Sequence, residues 1–444
     1  MKKFLFLLSL LLTLQTGKTQ NYFVSTVAGT GTQGLVDGPR VTTAELNWPY
    51  GLAYDGDSVI YFSDGANHCI RKMSANTGLV TTIAGNGTAG FQDGVGAIAR
   101  FNYPDDVFYK SGFLYIGDNM NNCIRKMDIS TYSVTTIAGT GVAGYLNGPA
   151  NQAQFKGGNG ITLAVANNGD IFVADGSNAV IRKISGGQVT LYAGTPGVYG
   201  YIDGPAATAK FHRPRYLALD TTTGDLYTTD INNNVIRKIS GGMVSTFSGT
   251  GVAGGLDGAY NVATYNAPVG IAMTYNGYFY VVDGGGNKLR KVDPAGTVTT
   301  IAGNGTFGFQ DGQATSAEFF YPQDVCYDKH CLIYMADRDN NRIRSIRVPE
   351  GPAGCTNGIN ELASDLIDVN IYPNPSQGIL SIEMPISFTQ YSFNVTNVVG
   401  EVVKSGELLK GQTQLILNDL DNGIYFIEIT NKGKRINKKI IVQK

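Results

Sequence analysis

Six times between residues 26 and 303 the chain repeats one phrase: Thr26-Val-Ala-Gly29, Thr82-Ile-Ala-Gly85, Thr136-Ile-Ala-Gly139, Leu191-Tyr-Ala-Gly194, Thr246-Phe-Ser-Gly249 and Thr300-Ile-Ala-Gly303. Successive glycines stand 54 to 56 residues apart. A period of that length points to a solenoid, a propeller or an array, because each unit buries its apolar face only against its neighbours. Each phrase opens a glycine-rich stretch that ends in Asp-Gly or Asn-Gly, as in Gly87-Thr-Ala-Gly90-Phe-Gln-Asp93-Gly94. A buried-type residue follows with proline three positions later: Leu46 and Pro49, Phe101 and Pro104, Phe211 and Pro214, Tyr265 and Pro268, Phe319 and Pro322. The third copy departs, with Phe155 followed by Gly158. A second phrase closes each unit, and in all six copies it sets an aspartate seven residues before an arginine. The pairs are Asp64 with Arg71, Asp118 with Arg125, Asp175 with Arg182, Asp230 with Arg237, Asp283 with Arg290, and Asp337 with Arg344.

Each unit holds four short runs with strand chemistry. In the second these are Asp106–Tyr109, Phe113–Ile116, Ile124–Met127 and Val134–Ile137. Four strands of about five or six residues, with their turns, fill one period. A four-stranded sheet repeated radially is a propeller blade, so six units predict six blades. The chain begins with a fourth-strand pattern, Tyr22 to Ala28, and the repeat region ends after a third, Ile343 to Val348. Pairing these two closes the ring and removes the open edges of a linear array. Composition agrees with an all-β chain: 58 glycines for turns, aromatics at 10%, and an apolar fraction of 43% that can bury a core. The formal net charge of -1 leaves no basic field for nucleic acid.

These units resemble NHL repeats, a propeller family whose consensus runs Pro-x-Gly-Ile-Ala, then Tyr-x-x-Asp, then Asn-His-x-Ile-Arg-Lys. Pro49-Tyr-Gly-Leu-Ala53, Asn67-His68-Cys69-Ile70-Arg71-Lys72 and Pro268-Val-Gly-Ile-Ala272 carry the likeness, which spans residues 21–349. The resemblance implies the fold and leaves activity open, since similar propellers serve as binding platforms, lyases and lactonases.

Two further segments flank the repeats. Residues 1–20 read as a secretory signal peptide: Lys2 and Lys3, an apolar run from Phe4 to Leu14, then polar residues to Gln20. That run is too short to span a bilayer, and no transmembrane span is expected after its removal. Residues 350–365, with Gly351, Pro352, Gly354 and Gly358, read as a linker. Residues 366–444 then show strand patterns without the repeat and predict a small β-sandwich. Tyr372-Pro373-Asn374-Pro375-Ser376 with Gly378, Gly423-Ile-Tyr425 and the terminal basic strand ending at Lys444 resemble a type A sorting domain of the type IX secretion system of Bacteroidota. That resemblance implies export to the outer cell surface or the medium, with the secretion and sorting machinery as a partner. Five cysteines leave at least one unpaired; Cys326 and Cys331 flank a two-residue turn and are a candidate disulfide.

In an up-and-down blade the glycine-rich loop and the loop after the aspartate share one face, the default binding surface of the ring. Residues beside the repeated proline ring its mouth: Trp48, Tyr50, Tyr103, Asp105, Asn159, Arg213, Arg215, Tyr321 and Gln323. A structural ring would be uniform, and this one mixes the only tryptophan, three tyrosines, an arginine pair and one carboxylate, so it is the candidate binding site for a protein, peptide or glycan. The six Asp–Arg pairs recur in every copy and read as scaffold. No G-x-S-x-G, H-E-x-x-H or Walker-type loop occurs, and the three histidines fall at different points of the repeat. No catalytic residue, metal site or cofactor is assigned; calcium on the repeated aspartates is left open. The expectation is a secreted or cell-surface binding scaffold. Its alternative is an extracellular lyase-type or lactonase-type enzyme with a divalent metal in the channel.

Overall fold

A computed structural model describes residues 22–74, 77–274, 276–329, 332–347, 370–372, 376–383, 390–397, 401–409, 412–431 and 434–444. The signal segment 1–20, the linker 350–365, Pro373, Asn374, Pro375 and Cys331 lie outside the described residues, and the Cys326–Cys331 pairing with them. The chain divides into two compact units, Met1–Gly354 and Cys355–Lys444.

The first unit is a six-bladed propeller. Blade 1 is built from Pro49–Tyr54, Val59–Asp64, Cys69–Ser74 and Leu79–Ala84, counted from the channel outward. Blades 2 to 5 repeat that order from Pro104–Lys110, Ile161–Val165, Pro214–Leu219 and Pro268–Met273 as inner strands. Blade 6 takes Val325–Tyr327, Leu332–Asp337 and Arg342–Arg347 from the end of the repeats and Phe23–Ala28 from their start. Each inner strand touches the next, and that of blade 6 touches that of blade 1, so the ring is closed. The closing pair is antiparallel, with Val24 opposite Ile346 and Thr26 opposite Arg344.

The sequence reading missed a short fifth strand. Gly38–Pro39, Gly94–Val95, Gly148–Pro149, Gly204–Pro205 and Gly312–Gln313 pair with the outer strands of blades 1, 2, 3, 4 and 6. Each follows the Asp-Gly or Asn-Gly step, whose glycine has φ between 119° and 152°, a conformation open to glycine alone at low cost.

Six hydrophobic cores lie between neighbouring blades rather than inside them. The residue three positions before the repeated proline drives into each: Leu46, Phe101, Phe155, Phe211, Tyr265 and Phe319 are all fully buried. Where blades approach most closely, side chains are cut away. A Cβ at Gly117 would lie 1.8 Å from the Ile161 carbonyl oxygen of blade 3.

The second unit has two antiparallel sheets. Asn370–Tyr372, Ile379–Glu383 and Gln412–Ile416 form one; Val402–Leu409, Gln390–Thr396, Gly423–Asn431 and Lys434–Val442 form the other. Leu380, Ile382 and Leu415 of the first meet Val395, Ile427, Ile429 and Ile440 of the second in one core, which makes the unit a small sandwich. No helix among the described residues is long and apolar enough to cross a membrane.

Candidate functional site

The repeated aspartate and arginine build one unit in every blade. In blade 2, Arg125 Nη1 donates to Asp118 Oδ2 at 2.7 Å and Nη2 to Asp93 Oδ1 at 2.8 Å. The same guanidinium donates to the carbonyl oxygens of Arg100 and Gln92. Asn121 Nδ2 donates to Asp118 Oδ2, and the Asn102 amide to Asp118 Oδ1. Asp93 also accepts from the amide and hydroxyl of Thr136 on the outer strand. Asp93 therefore ties the glycine-rich loop to both the arginine and the outer strand.

Four other blades repeat this arrangement. Arg71 is held by Asp64 and Asp37, Arg237 by Asp230 and Asp203, Arg290 by Asp283 and Asp257, and Arg344 by Asp337 and Asp311. In blade 3, Asp175 pairs with Arg182, and Asn147 replaces the second carboxylate. All six arginines and their strand-end aspartates are fully buried, with every aspartate committed to donors inside its own blade.

The six arginines, alike in the sequence, differ at one atom. Arg182 Nε donates to Asn147 Oδ1 and Arg344 Nε to Asp311 Oδ1, because in those two blades one oxygen accepts from both Nε and Nη2. In Arg71, Arg125, Arg237 and Arg290 the second aspartate meets Nη2 alone. Nε of Arg237 and of Arg290, like that of Arg71 and Arg125, is therefore buried without a hydrogen-bond partner among the described residues.

A second repeated device holds the mouth. Trp48, Tyr103, Arg213, Ala267 and Tyr321, each just before the repeated proline, have φ between 46° and 68°. The left-handed region costs such residues about 1–2 kcal/mol. Four of their amides are caught by the preceding blade: Trp48 by Asn341 Oδ1, Ala267 by Asn234 Oδ1, Tyr321 by Asn287 Oδ1 and Tyr103 by His68 Nδ1. His68 thus stands in for asparagine. Burial pushes its pKa down, which keeps Nδ1 free to accept. In blade 4 the preceding residue is Ala179, which offers no such acceptor to Arg213.

Six of the nine mouth residues chosen from the sequence, Tyr50, Tyr103, Asp105, Asn159, Arg213 and Arg215, line one cavity of about 290 Å³. Arg215 Nη2 donates to Asp105 Oδ1 at 2.7 Å, and its guanidinium lies 5.8 Å from the Tyr50 ring centre. Trp48 and Tyr321 reach this site through a residue the sequence reading missed. Arg338 lines the cavity, and its guanidinium lies 5.3 Å from the Trp48 ring, 5.8 Å from Tyr50 and 5.4 Å from Tyr321. The signal for it was a broken repeat: the residue after the strand-end aspartate is Gly65, Asn119, Gly176, Ile231 and Gly284 in the other blades. Gln323 is buried and outside the cavity lining, and its amide nitrogen donates to the Tyr321 carbonyl oxygen. His212 lies outside the lining as well, with its ring 5.1 Å from that of Tyr199.

Beyond this mouth the channel carries acids the sequence reading left unassigned. Asp106 Oδ2 accepts from the Leu163 amide at 2.8 Å, and Asp324 Oδ2 from the Leu52 amide at 2.9 Å, each on the next inner strand. Gly51 and Gly270 make room for them, because a Cβ at either would come within 2.9 Å of the neighbouring carboxylate. Burial, opposed by the Leu163 amide and reinforced by Asp105, pushes Asp106 up to about 7; burial and Asp106 raise Asp324. Both acids line a second cavity of about 490 Å³, walled by inner strands of all six blades and including Tyr54, Tyr109 and Met273. Among the described residues no three His, Cys, Asp or Glu side chains stand in metal-binding geometry. Cys69 and Cys123 are buried thiols without a disulfide.

In the second unit Tyr372 lies on the first strand. Gly378 has φ 101°, and a Cβ there would meet Asn418 Oδ1 at 2.2 Å. Gly423 pairs with Val442, and the Tyr425 hydroxyl donates to the Asp421 carbonyl oxygen from within the core. Lys444 Nζ donates to the carbonyl oxygens of Asn418 and Leu420.

Comparison with known proteins places both units. Residues 370–443 match the family model of the secretion system C-terminal sorting domain. The chain is 26% identical over 344 residues to Protein SUPPRESSOR OF QUENCHING 1, chloroplastic, of Arabidopsis thaliana, covering 70% of this chain and 31% of that protein. It is 27% identical over 327 residues to NHL repeat-containing protein 2 of Gallus gallus, covering 64% and 43%. The chain therefore spans less than half the length of these relatives. Two solved structures from Bacteroides thetaiotaomicron share the propeller fold. One is a structural genomics protein of unknown function, with TM-score 0.58, 24% identity, and coverage of 74% of this chain and 76% of that one. The other is an auxiliary nutrient binding protein, with TM-score 0.57, 18% identity, and coverage of 74% and 77%. This chain is an NHL-repeat β-propeller followed by a C-terminal sorting domain of the type IX secretion system, which directs it to the outer cell surface or the medium.

Proposed function

We propose that the exported propeller is a binding protein that holds a small polar ligand in the cavity lined by Tyr50, Tyr103, Asp105, Arg213, Arg215 and Arg338. The observation that carries this reading is where the sixfold pattern breaks. The Asp–Arg pair recurs in all six blades, whereas the position after the repeated proline holds Tyr50, Asp105, Arg215, Val269 and Gln323 in blades 1, 2, 4, 5 and 6. A shared Asp–Arg frame with side chains that differ at the mouth is what a recognition surface needs, a rigid frame carrying grafted side chains. The cavity is concave and sets the apolar Tyr50, Tyr103 and Met120 beside convergent polar groups, as small-molecule sites do. The nutrient-binding description of one similar fold agrees with this reading, although that likeness by itself concerns the fold.

Thermal unfolding of the full-length protein against mono- and oligosaccharides and peptides tests it. A ligand at a hundred times its Kd stabilises by about 2.7 kcal/mol, a shift of several degrees. We expect at least one saccharide or peptide to raise Tm, with the rise abolished in Arg338→Ala. Absence of any stabilising ligand, or a shift that Arg338→Ala leaves intact, overturns the proposal.

A further inference from the structure

We propose that the mouth cavity takes an organic anion, and that Arg213 holds its charged oxygen group, a carboxylate, phosphate or sulfate. The inference rests on the binding reading above and names the charge of the ligand and the residue that selects it.

The scaffold shows how this fold treats an arginine that it buries. Arg71, Arg125, Arg237, Arg290 and Arg344 are each matched by two carboxylates, and Arg182 by one carboxylate and Asn147. The mouth departs from that rule. Three guanidiniums, those of Arg213, Arg215 and Arg338, line the cavity with one carboxylate, Asp105. Arg215 takes Asp105 at 2.7 Å, and Arg338 takes Asp339, its neighbour in the chain, at 2.8 Å. Arg213 makes no ion pair or side-chain hydrogen bond among the described residues, and its Nε is buried without a partner. Burial first and the charge of Arg215 second push the Arg213 guanidinium below the usual arginine range, with Asp105 opposing.

The backbone at Arg213 is exceptional in the same way. Its φ of 68° is left-handed. The equivalent residues Trp48, Tyr103, Ala267 and Tyr321 are held there by an acceptor from the preceding blade, which Ala179 does not offer to Arg213. Backbone strain of this kind clusters at ligand clamps, where the side chain has work outside the scaffold. Water satisfies the N–H groups of a guanidinium, but only an anion also offsets the charge of Arg215 beside it. The planar fork of guanidinium donors matches the oxygens of a carboxylate or phosphate. The cavity also presents Tyr50, Tyr103 and Met120, with the Tyr50 ring centre 5.8 Å from the guanidiniums of both Arg215 and Arg338. Those walls suit an apolar body attached to the charge, and a volume of about 290 Å³ limits that body to the size of a single ring.

Calorimetric titration of the full-length protein compares benzoate, phenyl phosphate and phenyl sulfate with neutral benzamide. All four carry the same ring, so charge separates benzamide from the others, and the ranking of the three anions shows which oxygen group the site prefers. We expect at least one anion to bind at least about tenfold tighter than benzamide, the effect of roughly one charge-assisted hydrogen bond, and to weaken as ionic strength rises. Arg213→Gln should lose that preference, and Arg213→Lys, which keeps the charge but not the fork, should retain part of it. Lys126→Gln removes an equal charge outside the cavity, where the lysine packs 3.7 Å from the Phe113 ring centre, and should bind the anion as wild type does. Without ligand, Arg213→Gln should melt no lower than wild type, because no protein partner is lost. Three outcomes overturn the inference: no anion outbinding benzamide, an equal loss in Lys126→Gln, or a melting temperature several degrees lower in Arg213→Gln. The binding reading survives each of them if a neutral saccharide or peptide raises Tm in an Arg338-dependent way, and it falls only with its own panel.

Discussion

Arg125 lies between two rings, 5.4 Å from the centre of Phe91 and 5.1 Å from Phe101, while its guanidinium is held by two carboxylates and two carbonyls. Such a charge tolerates full burial only because nearly every donor is matched; removing one partner of a buried pair typically costs about 3–5 kcal/mol. Blade 3 shows the effect of losing one carboxylate. With Asn147 in place of the second aspartate, burial outweighs Asp175 and pulls Arg182 below the usual arginine range. In blade 1 burial is outweighed by Asp64 and Asp37, and Arg71 rises. The channel acids have no such match. Asp106 is raised to about 7 by burial and by Asp105, with the Leu163 amide and Arg215 opposing, against about 3.9 in an unfolded chain. A raised carboxyl means that the folded state holds its proton while the unfolded state has already lost it. The associated stability is fully present below about pH 4 and is lost as pH climbs towards 7. We predict that Asp106→Asn, which keeps an acceptor for the Leu163 amide, loses less stability than wild type between pH 5 and pH 8. The difference should be on the order of 1–3 kcal/mol. Melting temperatures of both proteins at the two pH values measure it, and parallel losses would refute it.

Strand Phe23–Ala28 shows how one element serves the whole ring. It pairs with Arg342–Arg347 on one side and Gly312–Gln313 on the other, and the Thr26 amide donates to Asp311. Val24 enters the core between blades 5 and 6, and Ala28 the core between blades 6 and 1. The loop that follows is fixed as well, since Arg342 Nη2 donates to the Thr30 carbonyl oxygen. Without this strand Arg342–Arg347 becomes an open edge, a template for pairing with another chain. Deleting residues 22–28 from the mature protein should lower Tm by more than about 10 °C, a loss of several kcal/mol for a domain of this size, and produce higher oligomers on size exclusion. The milder Val24→Asp, which keeps the backbone ladder, should lower Tm without oligomers. A deletion variant that melts like wild type as a monomer would show that closure does not depend on this strand.

The two compact units divide the work. The sandwich carries the export signal and the propeller the cavity, so the signal should act without the mouth and the mouth without the signal. We predict that a protein ending at Gly354, expressed in a Bacteroidota host, accumulates inside the outer membrane, while the full chain reaches the surface or the medium. Surface proteolysis and fractionation distinguish the two, and surface exposure of the truncated protein would refute the assignment. Arg213→Gln in the full chain should leave its export unchanged.

The repeat was legible because closing a ring of equal blades demands equal chemistry in each: glycine where φ is positive, a wedge residue between blades, an aspartate and an arginine seven residues apart. That regularity alone determined the fold class, the number of blades and the closing strand. The tail was legible from short turn and strand motifs for a similar local reason. Tyr50, Tyr103, Asp105, Asn159, Arg213 and Arg215 could be found as departures from the repeat near its proline. Arg338 is a departure too, but in a different phrase, and only the ring ties it to the others by bringing blade 6 against Trp48 and Tyr50 of blade 1. The short fifth strands escaped notice because two residues carry no periodicity. Which polar atoms are left without a partner was also beyond the sequence. Arg237 and Arg344 occupy one position of the repeat, yet Nε is unmatched in the first and bonded to Asp311 in the second. Asp105 of blade 2 and Arg215 of blade 4 are 110 residues apart and meet against Gly160 of blade 3, and whether Arg213 has a counter-charge depends on every blade around it. Local pattern determines which elements form; the summed positions of distant side chains, which only tertiary structure supplies, decide where an unmatched charge is left to bind.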